Sequence, residues 1–170
     1  MNIRPERPGD DAAIHALTQA AFRDAPYSNG LEAPIVRALR EAGDLALSLV
    51  AEEDGAIIGH VAFSPLTIEG VADGWFGLGP ISVSPGRQRQ GIGAALIAAG
   101  LARLRESGAR GCALVGDPAV YASSGFRSDG RLSYGDLDRR YVQRIIFAGP
   151  APGGALGFAP AFSMEPPDAA

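Results

Sequence analysis

A polar loop ending in Gly91 and Gly93 lies between a predicted strand and a predicted helix. Glycines let backbone N–H groups approach an anion closely, and the first four N–H groups of a helix have no partner within it. Together with the helix dipole, these groups supply positive potential without a cationic side chain. The pattern therefore predicts a phosphate site, and a diphosphate is its natural ligand.

Two common nucleotide-binding motifs do not fit this loop. The dinucleotide fingerprint requires a third Gly or Ala where this chain has Leu96, and the P-loop requires a Lys after its last glycine. The chain contains no Lys, since all 15 of its basic side chains are Arg. The same absence excludes enzymes that use an internal Lys, such as pyridoxal Schiff-base enzymes and protein kinases.

The net charge and the single cysteine argue against further classes of protein. A net charge of −4 argues against a nucleic-acid-binding protein, which favours a basic face. The single Cys112 permits neither an internal disulfide nor a cysteine-based zinc site, and His15 and His60 lack metal-ligand spacing. We therefore expect no metal centre. Cys112 is more simply a small buried strand residue than a nucleophile.

The length of 170 residues predicts one domain, which we place over residues 1–163, followed by a loose tail over residues 164–170. The sequence shows no signal-peptide core, and no apolar run is long enough to span a membrane. We expect a cytoplasmic protein that does not contact a membrane.

Helices and strands follow from the spacing of apolar residues. Helical spacing predicts a first helix from Asp10 or Asp11 to near Pro26, and a second from about Leu31 that ends at Gly43. Strands are predicted over residues 45–52, 56–68, 75–83, 112–115, 141–147 and 156–162. The first three form an antiparallel meander. A helix over residues 94–106 joins the third strand to the fourth, which makes these two strands parallel.

The loop carries a family signature. Gln88-Arg89-Gln90-Gly91-Ile92-Gly93 fits the pattern Gln/Arg-x-x-Gly-x-Gly/Ala, which opens a helix after the fourth strand of the GCN5-related N-acetyltransferase (GNAT) superfamily. The chain resembles this family over nearly its whole length, including a Tyr-x-x-x-Gly-Phe element that begins at Tyr121. Segments 48–52, 59–65, 78–83 and 116–118 are similar to its bacterial YhbS-like branch.

The resemblance implies an α+β architecture, the acyl-CoA N-acyltransferase (GNAT) fold. This fold has a mixed, mostly antiparallel sheet, helices on both faces and a V-shaped splay between two parallel strands. The resemblance also implies that acetyl-CoA binds in the splay and that an amine of a small molecule or peptide accepts the acetyl group. We expect direct attack in a ternary complex, because no credible covalent nucleophile is present. Homodimers are common in the family.

The resemblance further implies a role for each matching position. The backbone of Ile81, Ser82 and Val83 would contact the pantetheine arm, and a backbone N–H of this strand would stabilise the oxyanion. The N–H groups from Arg89 to Ala94 would hold the pyrophosphate, with the side chains of Arg87 and Arg89 available to the phosphates. The implied coenzyme residues are Ile81, Ser82, Val83, Arg87, Gln88, Arg89, Gln90, Gly91, Ile92, Gly93 and Ala94.

Three further side chains are candidates on the acceptor side. Tyr121 would be the general acid that protonates the departing thiolate, or else a Tyr packed under the loop. Glu32 would face the amine, or else favour a helix N-terminus by its charge. His60 would be a base near the substrate, or else a buried structural residue. A noncatalytic acyl-CoA-binding or regulatory domain remains the alternative to the transferase.

Overall fold

The apolar stripes near the start of the chain form two helices. In the computed structural model, which describes residues 1–166, a short strand β1 (Asn2–Pro5) is followed by α1 (Asp11–Phe22) and α2 (Glu32–Ala42). Helix α2 ends at Gly43, whose φ of 76° is the left-handed conformation that favours glycine. Both predicted helices are confirmed.

The remaining strands and helices build two sheets. They are β2 (Leu47–Glu53), β3 (Ala56–Pro65), β4 (Thr67–Ile68), β5 (Trp75–Val83), α3 (Ile92–Glu106), β6 (Gly111–Val115), α4 (Pro118–Tyr121), β7 (Leu132–Ser133), β8 (Val142–Ile146) and β9 (Gly154–Gly157). Within residues 1–166 the main sheet has the order β1-β2-β3-β5-β6-β8, and only its β5–β6 pair is parallel. The mixed, mostly antiparallel α+β architecture is therefore confirmed.

Helices cover both faces of the main sheet. On one face, α3 packs on a core that includes Leu49, Phe63 and Leu96. On the other face, α1 and α2 bury Ile14 and Val36 against the sheet. Helices thus cover both faces of the sheet. A site can form at its edge, where strands β5 and β6 end.

Two predicted strands end several residues earlier in the structure than predicted. The strand predicted over residues 56–68 stops at Pro65, and its last part is β4, which pairs with β9 in a small second sheet. The strand predicted over residues 156–162 is wrong beyond Gly157, because Pro160 lacks an N–H and begins a 3-10 turn. Residues 167–170 of the predicted tail lie outside the described residues.

Two features are absent from the described part of the chain. Among residues 1–166, no helix is long and apolar enough to cross a membrane. In the same range, no three His, Cys, Asp or Glu side chains lie together as metal ligands would.

Candidate active site

The two parallel strands separate after three residue pairs. Strands β5 and β6 pair from Trp75 opposite Gly111 to Gly77 opposite Ala113. Beyond Gly77, β5 remains paired with β3, so its segment 78–83 has no strand beside it on the β6 side within residues 1–166. A bulge places Gly79 and Pro80 of β5 opposite a single residue of β3, and bulges bend the strand that carries them. The V-shaped splay predicted for the fold is therefore present.

The loop after β5 presents backbone N–H groups to this opening. Gly91 precedes α3 with a φ of 83°, and Arg89 also has a left-handed φ of 62°. The first hydrogen bond of the helix runs from the N–H of Ala95 to the carbonyl of Gly91 at 3.0 Å. No side chain among residues 1–166 caps the helix, so the N–H groups before Ala95 are free to bind an anion.

The protein's own packing does not require the second glycine. A Cβ atom at Gly93 would lie 3.8 Å from methyl groups of Ile81 and Val83, which is ordinary contact. A Cβ at Gly91 would meet nothing within 4 Å. The space beside the loop is therefore open, as a phosphate-binding site requires.

The side chains of the loop differ in how they are held. Arg87 forms an ion pair with Glu53, and its Nε donates to Oε1 of Gln90 at 3.1 Å. The hydrogen bond from Arg87 lowers the pKa of the Glu53 carboxyl. Gln88 donates from Nε2 to the carbonyl of Val83 at 3.2 Å, whereas Arg89 is exposed. Arg87 is thus held by Glu53 and Gln90, whereas Arg89 forms no salt bridge within residues 1–166.

Tyr121 is the last residue of α4, just beyond the end of β6. Its ring lies over Gly116, so that a Cβ atom added to Gly116 would be 2.6 Å from a ring carbon of Tyr121. The same ring meets the ring of Phe126 edge-on, with 6.2 Å between the ring centroids. The hydroxyl makes no hydrogen bond with residues 1–166, so it is not bonded to backbone there. Burial raises the pKa of Tyr121, and nearby Tyr27 adds to the effect. The phenol is therefore protonated at neutral pH.

A cavity lined by Glu32 and Arg23, among others, lies beside the loop between α1 and α2. Glu32 accepts a hydrogen bond from the hydroxyl of Ser28, and its Oε2 is buried without a partner in the described part of the chain. The cavity has a volume of about 330 Å³ and is lined by Thr18, Gln19, Phe22, Arg23, Gly30, Glu32 and Ala33. Tyr27, which the sequence analysis missed, is 82% exposed in the same loop.

An aromatic cluster stands where the parallel pairing ends. A Cβ at Gly77 would lie 3.1 Å from the ring of Phe158, so the two residues are in close contact. The ring of Phe158 in turn meets the ring of Tyr134 edge-on at 5.0 Å and packs at a tilt of 49° against the ring of Phe162 at 5.4 Å. Sequence reasoning missed this cluster because Phe158 was assigned to a strand that ends at Gly157.

Two other candidate residues are inside the sheet. His60 is fully buried opposite Ser82 of β5, and burial lowers its pKa to about 4. Cys112 is also fully buried, and burial raises the pKa of its thiol. His60 therefore does not reach the surface, and Cys112 is an inert thiol.

The sequence and the fold both match known acetyltransferases. A model of the Acetyltransferase (GNAT) family matches residues 12–126. The uncharacterized N-acetyltransferase YhbS of Escherichia coli K12 is 40% identical over 127 residues, which is 74% of this chain and 73% of the relative. The expected resemblance to the YhbS-like branch is confirmed.

Two solved structures superpose on almost the entire chain. A GNAT family acetyltransferase from Brucella melitensis in complex with acetyl-CoA is 50% identical, with a TM-score of 0.85, and the match covers 95% of this chain and 97% of that one. YhbS from Escherichia coli in complex with CoA is 32% identical, with a TM-score of 0.88 and coverages of 96% and 92%. Family model, relatives and splayed sheet agree: the chain belongs to the GNAT family of acetyltransferases.

Proposed function

We propose that this protein transfers an acetyl group from acetyl-CoA to a primary amine by direct attack in a ternary complex. The observation that carries the proposal is the free edge of β5, which leads directly to the uncapped N-terminus of α3. An extended pantetheine arm fits along such an edge, and a pyrophosphate fits the free N–H groups. The acetyl-CoA bound to the Brucella relative supports the same ligand.

The coenzyme would be held mostly by backbone. Ile81, Ser82 and Val83 lie in the part of β5 that is paired with β3 but not with β6, and the N–H groups from Arg89 to Ala94 surround the loop opening. When bound, acetyl-CoA supplies an activated thioester carbonyl. The chain's part is to align the thioester along β5 and to stabilise the phosphates without a Lys.

The chemistry would use Tyr121 as general acid. The amine nitrogen forms a bond to the acetyl carbon, the carbon–sulfur bond breaks, and the hydroxyl of Tyr121 gives its proton to the departing thiolate. A raised pKa keeps that proton on Tyr121 until the thiolate develops. The inert thiol of Cys112 supports direct attack over an acetyl-enzyme route.

The acceptor would enter from the side of α1 and α2. An ammonium group suits the unpartnered Oε2 of Glu32 in its cavity of about 330 Å³. The nearby 3-10 turn at Pro160–Ser163 packs against α2 and brings Phe162 to this side of the sheet. A small molecule or a peptide terminus with an amine next to an apolar group fits both features.

Thermal unfolding with acetyl-CoA, with CoA and without ligand tests the proposal. A ligand at about 100 times its dissociation constant adds about 2.7 kcal/mol of stability, which raises the Tm by roughly 5–10 °C for a domain of this size. Amines are then screened for release of the CoA thiol. Amine-stimulated release is the expected result. A Tm shift without stimulated release would instead favour the noncatalytic acyl-CoA-binding domain, and no shift would contradict both.

A further inference from the structure

The carbonyl of Gly116 lies just beyond the paired part of β6 and β8. The last residue pair of these strands comes one position earlier, and the N–H of Gly116 still donates to the carbonyl of Tyr141 at 3.0 Å. In an antiparallel pair of this kind, the N–H of Tyr141 would donate back to Gly116. That N–H instead donates to the carbonyl of Asp138 at 3.1 Å, within the 3-10 turn Arg139–Tyr141. Tyr141 therefore supplies no donor to the carbonyl of Gly116.

A side chain of β8 takes the place of the missing donor. Nε2 of Gln143 donates to the carbonyl of Gly116 at 2.9 Å. Gln143 pairs with Leu114, two residues before Gly116, so its amide has only to extend along the strand. Gln143 is 1% exposed, and its amide is therefore shielded from water.

The amide of Gln143 does more than fill space in the core. Its second polar atom, Oε1, is buried without a hydrogen-bond partner among residues 1–166. An unpaired polar atom in the interior destabilises a fold, and a methionine of similar length would fill the same space without that cost. The hydrogen bond to Gly116 is the contact that requires a donor at this position.

The peptide held by Gln143 leads directly into α4. The carbonyl of Gly116 belongs to the peptide that joins it to Asp117, the residue before α4. The side chain of Asp117 accepts from the N–H of Ala119 at 2.9 Å, and its carbonyl accepts from the N–H of Tyr121 at 3.3 Å. Because α4 has only four residues, its orientation depends on how its first peptide is held.

Gly116 also contacts the ring of Tyr121 directly. A Cβ atom at Gly116 would lie 2.6 Å from one ring carbon and 3.1 Å from another, so the ring rests on the backbone that Gln143 holds. Tyr121 thus meets this segment twice, once through its ring and once through its N–H. A shift of the Gly116 peptide therefore moves both the backbone and the ring of Tyr121.

We propose that Gln143 is a positioning residue for Tyr121. It holds the Gly116 peptide in the orientation that places the hydroxyl of Tyr121 at the end of β6, beside the opening of the splay. The proposal rests on the transferase function given above, in which Tyr121 protonates the departing thiolate. Gln143 exchanges no proton and acts only through Gly116.

A double-mutant cycle of Gln143→Met and Tyr121→Phe tests the proposal. Methionine lacks the donor, so kcat should fall about 10-fold or more, because a displaced general acid transfers its proton less well. The KM for acetyl-CoA should stay within about twofold, since the coenzyme contacts are unchanged. Tyr121→Phe has no proton to position, so adding Gln143→Met to it should change kcat by less than about twofold.

Ser107→Ala is the matched control for a lost hydrogen bond. It removes another bond from a side chain to a backbone carbonyl, that of Leu104 at 2.7 Å, at the far end of α3 from the coenzyme loop. We expect its kcat to be unchanged. If Gln143→Met does not fold, Gln143→Asn takes its place, because its amide is one methylene too short to reach Gly116.

A purely structural role for Gln143 predicts a different result. Gln143→Met would then reduce kcat by the same factor with and without the hydroxyl of Tyr121, which would overturn the proposal. An unchanged kcat in Gln143→Met would overturn it as well, and so would a rise in the KM for acetyl-CoA as large as the fall in kcat. If Tyr121→Phe alone keeps its kcat, the general-acid role fails instead.

Tyrosine ring signals test the positioning without coenzyme or acceptor. In protein labelled with ¹³C-tyrosine, the signals of Tyr121 are assigned with Tyr121→Phe and should shift or split in Gln143→Met. The signals of Tyr134, which packs against Phe158, should not change. Unchanged Tyr121 signals would overturn the proposal. If no amine is acetylated at all, the transferase function fails, and these signals still show whether Gln143 holds the ring.

Discussion

At the scale of single residues, the proposed chemistry depends on the phenolic proton of Tyr121. Tyr121 retains its proton because its burial raises the pKa of the phenol, and its hydroxyl is not committed to another group among residues 1–166. A free O–H donor at the end of β6 can follow the developing thiolate, whereas a hydroxyl bound to backbone could not. Its ring is held over Gly116 and against Phe126, so the hydroxyl is the part of the side chain available for the proposed proton transfer.

Replacing Tyr121 by Phe should lower the rate of acetyl transfer without weakening the binding of acetyl-CoA. The ring and its packing remain, while the transferable proton is lost, so kcat should fall about 100-fold or more. The dissociation constant for acetyl-CoA, measured by calorimetry, should stay within about twofold. Tyr141→Phe removes an exposed phenol held by Arg140 and serves as the control. A loss of acetyl-CoA affinity as large as the loss of kcat would contradict the general-acid role.

At the scale of elements, the glycine loop was predictable because its proposed phosphate contacts come from consecutive backbone groups. The splay between β5 and β6 was also expected, from the family resemblance. The ion pair of Arg87 with Glu53 was not, since 34 positions separate the two residues and only the fold brings them together. Strands β4, β7 and β9 are two to four residues long, which is too short to show a periodic pattern.

The N-terminus of α3 gives a prediction about charge. Gly91→Asp places a carboxylate among the free N–H groups, where it competes with and repels a pyrophosphate, so acetyl-CoA binding should be lost. Gly91→Asn has nearly the same shape and tolerates the same left-handed backbone, without the charge. We expect Asn to weaken binding far less than Asp in calorimetric titrations. Equal effects of the two variants would show that steric fit, not charge, controls the loop.

At the scale of the whole molecule, His60 makes the stability depend on pH. Its pKa is about 4 in the folded protein, below the ordinary value of 6.5, because burial disfavours the imidazolium. The unfolded chain therefore binds more protons than the folded one below pH 6.5, and stability falls as the pH drops. The loss is complete once the pH is below the folded pKa.

Urea unfolding at pH 7 and pH 5 checks this dependence. Over that interval the free energy of unfolding should decrease by about 2 kcal/mol more in the unchanged protein than in His60→Gln. His15→Gln, which alters the partly exposed His15, is the control and should keep most of the pH dependence. Identical pH slopes for the unchanged protein and His60→Gln would mean that His60 is not held neutral by burial.

The splay between β5 and β6 also affects how the protein behaves without its coenzyme. A strand edge that lacks a partner can pair with the same edge of another copy and so begin aggregation. In segment 78–83 this edge carries a bulge at Gly79 and Pro80, and Pro80 has no N–H to offer. Bulges and prolines are the devices by which natural sheets prevent such pairing. We therefore expect that the opening proposed to bind acetyl-CoA does not pair with a second chain when the coenzyme is absent.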